Sequence, residues 1–149
     1  MVAVSLKKDF FQAEDGIRDS CIGLGIPAEP LFRSEIATVG RQEKDLESGA
    51  INGYVHKLPL AANPRAKMMG VKDGFVKIVA REGSGTVIGG VIVAPRASEL
   101  IYPIAIAVER RLTIDQISRV FAVYPSLTGS ITDATRAMHQ VTTDEDTVA

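Results

Sequence analysis

The sequence predicts an α+β domain, an antiparallel β-sheet with helices packed on one face. Three observations predict it. Runs rich in β-branched and other apolar residues lie at Glu35–Gly40, 51–60, 74–81 and 86–94, as strands require. Gly83-Ser84-Gly85 separates the last two runs and supplies the positive φ of a tight hairpin turn. The helical signals follow the strands, from Ser98 onward, and strands grouped before helices favour α+β over alternating parallel units.

Each element has its own signal. Glu35-Ile36-Ala37-Thr38-Val39-Gly40 reads as a short strand ended by glycine, and 42–49 as a polar surface helix closing at Gly49. The run 51–60 alternates weakly and meets Pro59, which places it near a sheet edge because proline cannot donate to a ladder. Asn63-Pro64-Arg65-Ala66-Lys67 opens a helical turn with proline at its first position, and Gly70 stops it. Gly89-Gly90 inside the second hairpin strand predicts a bulge or a close backbone approach.

Ser98 is the expected cap of the next helix, with Ile101, Ile104, Ala105 and Val108 on its apolar face and Pro103 early within it. Thr113-x-x-Gln116 fits a capping box, opening a helix whose apolar side is Ile114, Ile117 and Val120-Phe121. A last helix runs from Thr128 or Ser130 to about Val141. The acidic residues 142–149 then read as a frayed tail.

Residues 1–31 fit none of this. Asp9 to Asp19 carries neither period, and Gln12-Ala13-Glu14-Asp15-Gly16-Ile17-Arg18-Asp19 is similar to the translation of a sequencing adapter. The segment is expected to be irregular and not native, joining the true gene somewhere before Ile22. The organisation expected is therefore 1–31 irregular, 32–141 domain, and 142–149 tail.

Bulk properties exclude several classes. A net charge of −1 gives no general attraction to nucleic acid or anionic membrane. The longest apolar runs, 86–95 and 100–108, fall well short of the roughly 20 residues needed to span a bilayer. Cys21 has no partner cysteine, so a reducing, cytoplasmic setting is the default.

Candidate sites are sparse. Gly23-x-Gly25-x-x-Ala28 matches a dinucleotide fingerprint but lacks the strand before it and the helix after it. Gly83-x-Gly85 is a hairpin turn. Cys21 has no neighbouring base to form a thiolate. His56 and His139 have no second ligand at metal spacing and read as polar strand-face or surface residues. Arg65 and Lys67 suit either a solvated turn or a contact with another subunit or domain. No Ser/His/Asp set and no paired carboxylates are evident, so no complete catalytic apparatus is expected in this chain.

One family accounts for the order of these pieces. Glu35-Ile36-Ala37-Thr38-Val39-Gly40, Asn63-Pro64-Arg65-Ala66-Lys67, Gly74-Phe75-Val76-Lys77-Ile78, Ile88-Gly89-Gly90, Ala97-Ser98-Glu99-Leu100-Ile101 and Tyr124-Pro125-Ser126 lie in the order and spacing of that family. Over about 32–138 the chain resembles the C-terminal dimerisation domain of the pyridine nucleotide-disulfide oxidoreductases, the flavoproteins related to glutathione reductase and dihydrolipoamide dehydrogenase. Ala122-Val123-Tyr124-Pro125-Ser126-Leu127 is similar to the NAD(P)H:quinone reductase type of actinobacteria. Ser34 departs from the proline usual before the first strand.

The resemblance implies a homodimer interface and a loop lent to the partner subunit's active site. Disulfide-reducing members carry His-Pro-Thr-x-x-Glu in that loop, with the imidazole as general acid/base. Here Tyr124 stands at the His position and Gly129 at the Glu position. Phenols titrate far above neutrality and do not easily replace an imidazole there. The resemblance further implies cofactor contact at Tyr124 and Pro125. The Tyr124 carbonyl would accept from the partner's flavin N3–H, and the Tyr124-Pro125 bond would be cis. The parent enzyme would use FAD and NAD(P)H, held by domains outside this chain, and would reduce a quinone in preference to a disulfide. By itself the chain would be silent, with an apolar face exposed for its twin. The alternative is a stand-alone α+β binding or interaction module without a flavoenzyme parent.

Overall fold

The computed structural model describes residues 2–5 and 35–146, with side chains described over 35–139. Among the described residues five antiparallel strands form one sheet: β1 (Val2–Ser5), β2 (Glu35–Gly40), β3 (Gly53–Pro59), β4 (Phe75–Arg81) and β5 (Val87–Ala94), in the spatial order β1-β2-β5-β4-β3. The helices are α1 (Glu43–Glu47), α2 (Pro64–Met68), α3 (Ala97–Leu100), α4 (Tyr102–Glu109), α5 (Ile114–Ser118) and α6 (Gly129–Asp146). The α+β class is as the sequence predicts. Pro59 closes β3 at the sheet edge, where its missing N–H costs no ladder bond.

Register sorts the strand residues into two faces. Ala37 lies opposite Ile92, Ile92 opposite Val76, and Val76 opposite Leu58, so Ala37, Ile92, Val76 and Ile78 share one face. That face is buried with Ile104 of α4 and Ile131, Ala134 and Met138 of α6 in a single core. The opposite face carries Ile36, Val91, Val93 and Phe75, all half-buried. Lys57 covers the Phe75 ring with its ammonium 4.2 Å from the centroid, and Lys77 pairs with Glu43 of α1 on the same side.

The central strand β5 carries the tightest approaches. A Cβ on Gly89 would lie 2.0 Å from the Arg41 carbonyl oxygen, and one on Gly90 would lie 2.9 Å from the Ile104 side chain. Adjacent strand residues point to opposite faces. Gly89 therefore admits the chain leaving β2, and Gly90 admits α4. The Arg41 N–H donates to the Ile88 carbonyl at 2.9 Å. The close approach expected at Gly89-Gly90 is present, and the register between β4 and β5 also shifts at Val79/Ala80.

Several expectations need correction. Within the segment read as irregular, Val2–Ser5 is a strand paired with β2. Gly23, Gly25, Ala28 and Cys21 lie outside the described residues. Ser98 does not cap a helix. It sits inside α3, which Arg96 opens with a positive φ of 59°, and its N–H and hydroxyl both donate to Glu35. The helix expected after Ser98 is broken into α3 and α4, with Pro103 in the first turn of α4, where its absent N–H is tolerated. The Thr113–Gln116 capping box is formed, but α5 ends at Ser118. Val120 and Phe121 follow it and stand exposed, so they are no part of that helix's buried side. Finally, α6 continues to Asp146, through residues expected to fray.

The Gly89 contact gives a direct test. Gly89→Ala should cost about 1–3 kcal/mol, the usual penalty of overpacking a filled site. The reason is that its methyl meets backbone and not a movable side-chain tip. Urea unfolding of both forms measures this, and an unchanged midpoint would contradict the approach described.

Candidate functional site

Between α5 and α6 the chain runs from Arg119 to Thr128 without helix or strand. Phe121 is 89% exposed, Tyr124 79% and Val123 71%. This is unusual company for solvent, because three large apolar or aromatic side chains are adjacent in one loop. Ile106 of α4 is also exposed and shares a cleft with Phe121 and Val123. The Tyr124-Pro125 bond is cis, as the resemblance implied.

The loop separates two clefts. One, of about 440 Å³, is apolar and lies against α4 and α5, with Pro103, Ile106, Ile117 and Val120 among its walls. The other, of about 190 Å³, holds Tyr124, Asn63, Gly129, Asp133 and Arg136. The structure thus brings Tyr124 and Gly129, which stand at the His and Glu positions of the disulfide-reducing members, to one cleft. Arg136 is engaged there by its neighbours. Its guanidinium donates to the Ser118 carbonyl at 3.1 Å and lies 3.6 Å from Asp133.

The loop is exposed but not loosely attached. Asn63, only 8% exposed, caps α2 by accepting from the N–H groups of Arg65 at 2.8 Å and Ala66 at 3.1 Å. Its amide nitrogen donates to the Ser126 carbonyl at 3.0 Å and to Ser130 Oγ at 2.7 Å. Ser126 Oγ in turn accepts from the Gly129 N–H at 3.0 Å, closing the entry to α6. In the Asn63-Pro64-Arg65-Ala66-Lys67 motif the sequence directs attention to the two cations, yet Arg65 and Lys67 are exposed and the linking residue is Asn63. A pointer to it existed in the sequence, since asparagine immediately before a proline at a helix start is a preferred cap.

The histidines are elsewhere. His56 lies in β3, half-buried. His139 Nδ1 stands 2.7 Å from Asp115 Oδ1, tying α6 to α5. This pairing is invisible to sequence spacing because the two residues are 24 apart (139 minus 115) and on different helices. No group of three His, Cys, Asp or Glu suited to a metal occurs among the described residues. No helix among them is long and apolar enough to cross a membrane.

The family model described as the pyridine nucleotide-disulphide oxidoreductase dimerisation domain matches residues 26–135. The chain belongs to this family. The match begins before 32, the start expected for the domain. A Mycobacterium tuberculosis protein named NAD(P)H dehydrogenase (quinone) is 49% identical over 113 residues, 76% of this chain and 23% of that protein. A dihydrolipoyl dehydrogenase of Haloferax volcanii is 38% identical over 109 residues, 73% of this chain and 23% of its own length. The crystal structure of LpdA from Mycobacterium tuberculosis superposes with a TM-score of 0.69 at 51% identity, covering 70% of this chain and 23% of that one. The chain therefore spans less than a quarter of these relatives. The family is one of flavin- and NAD(P)-dependent oxidoreductases.

Tyr54 of β3 gives a pH test of the packing. Burial, and to a lesser degree the Asp115 carboxylate, pushes its phenol above the usual 10.0. The folded state thus favours the neutral form, so the unfolded chain ionises first as pH rises. The resulting stabilisation is complete below about pH 10 and is lost above it as the folded phenol titrates. Melting curves from pH 8 to roughly 11 should show an alkaline loss that Tyr54→Phe reduces. An identical alkaline slope in the two forms would contradict the assignment.

Proposed function

We propose that this domain serves an FAD-dependent NAD(P)H oxidoreductase as its homodimer interface, and that it places the Tyr124-Pro125 loop at the flavin of the partner subunit. The observation that carries this reading is the exposed Phe121, Val123 and Tyr124 loop, held from beneath by Asn63 and Ser126. A loop made for solvent has no use for such side chains, whereas a loop covered by a second subunit does. The Tyr124 and Pro125 backbone and the neighbouring apolar surface suit the edge of a planar ring held by other domains. When bound, the flavin supplies the hydride and electron chemistry. The residues here orient the ring edge, shield it from water and offer the Tyr124 carbonyl as an acceptor.

The reaction follows from what stands at two positions. Tyr124 and Gly129 replace the imidazole and carboxylate that disulfide-reducing members carry, and neither His56 nor His139 lines the clefts beside the loop. Quinone reduction needs no such dyad, and the similarity to a quinone dehydrogenase supports it. We place the enzyme in the cytoplasm. Family membership favours this reading over a stand-alone binding module.

Two measurements test it. Steady-state assays of the full-length enzyme should show NAD(P)H oxidation by a quinone and little by lipoamide; comparable rates with lipoamide would overturn the acceptor assignment. Light scattering on the 149-residue chain should give a concentration-dependent dimer that Phe121→Glu dissociates. A monomer at every concentration would overturn the interface assignment.

A further inference from the structure

We propose that Asn63 is the positioning residue of the Tyr124-Pro125 loop, a two-sided clamp that fixes the loop's exit while capping α2. This rests on the reading that the loop meets a flavin, and extends it to a residue outside the loop. An asparagine amide has two acceptor lone pairs and two donor hydrogens. Here all four are used: Oδ1 takes the N–H groups of Arg65 and Ala66, and Nδ2 gives to the Ser126 carbonyl and to Ser130 Oγ. Backbone N–H groups can only donate, so Oδ1 must face α2 and Nδ2 must face the loop. The orientation of the amide is therefore set by chemistry.

The clamp acts where it matters for placement. Ser126 is two residues beyond Tyr124 and is gripped twice, through its carbonyl by Asn63 and through its hydroxyl by Gly129. Ser130, fully buried in α6, receives the second donor. One side chain thus ties α2, the loop and α6 across 63 residues of sequence. It leaves Val123 and Tyr124 free to project. A loop with an unsupported exit would lose the fixed geometry that a backbone carbonyl needs to meet a ligand atom.

The two halves of the amide can be separated. Asn63→Asp keeps the acceptors that cap α2 but sets an oxygen against the Ser126 carbonyl. Asn63→Ser also keeps a capping oxygen and is too short to reach the loop, so it serves if the aspartate form does not fold. In the 149-residue chain, amide exchange at Gly129, Ser130 and Ile131, whose N–H groups bond back to Ser126 Oγ and to the Leu127 and Thr128 carbonyls, should accelerate by roughly 10-fold or more while Arg65 and Ala66 stay protected. In the flavin-loaded dimer the same variants should lower kcat/KM by roughly 10-fold and shift the flavin absorption band. Unchanged exchange at Gly129, Ser130 and Ile131 would overturn the clamp and leave the flavin reading standing. Faster exchange with an unaltered flavin band and kcat/KM would overturn the positioning role of Asn63 and leave the placement of the loop at the flavin standing.

Discussion

The architecture depends on how closely the chain can approach β5. Gly89 lets Arg41 pass over one face of this central strand, and Gly90 lets Ile104 settle on the other. Without the first, β2 could not leave the sheet at Gly40 with Arg41 bonded to Ile88. Without the second, α4 would ride higher and open the core around Ile78 and Ile92. Because α4, α5 and the loop follow one another in the chain, the height of α4 sets where the loop emerges. Backbone pairing reinforces this, since the Val87 N–H donates to Leu112 and the Ile114 N–H to Gly85, each at 2.9 Å.

On that frame the chain builds a surface that is incomplete by itself. Its core is closed by α4 and α6, yet Phe121, Val123 and Tyr124 remain outside, with Ile106 of α4 sharing a cleft with Phe121 and Val123. The polar work is done underneath. Asn63, Ser126 and Ser130 satisfy one another, and among the described residues no buried side-chain nitrogen or oxygen lacks a partner. A rigid base beneath an apolar tip is the arrangement expected of a loop that fits a preformed partner, because ordering costs are met before association.

Much of this was legible in the residues. The β4–β5 hairpin, the edge position of β3, the proline-led turn at Pro64 and the Thr113 capping box follow from local chemistry and appear where local chemistry puts them. What was not legible was non-local. Ser98 has the sequence credentials of a cap but is drawn to Glu35, 63 residues away, and Arg96 takes the helix start instead. Val120 and Phe121 continue the apolar period of α5, and the period alone cannot say that the helix stops at Ser118. The site divides the same way. Tyr124 and Pro125 stood out through a motif, whereas Asn63 became visible only when the fold set it against Ser126. The His139–Asp115 contact likewise exists only because α5 and α6 pack together.

The central claim is geometric, that a loop held by this domain meets a flavin belonging to a second subunit. The most direct measurement is a crystal structure of the flavin-loaded full-length dimer. The Tyr124 carbonyl oxygen should lie about 2.7–3.2 Å from N3 of the flavin in the other subunit, with Phe121 and Val123 buried between the subunits. A loop facing solvent, or directed at the flavin of its own subunit, would contradict it.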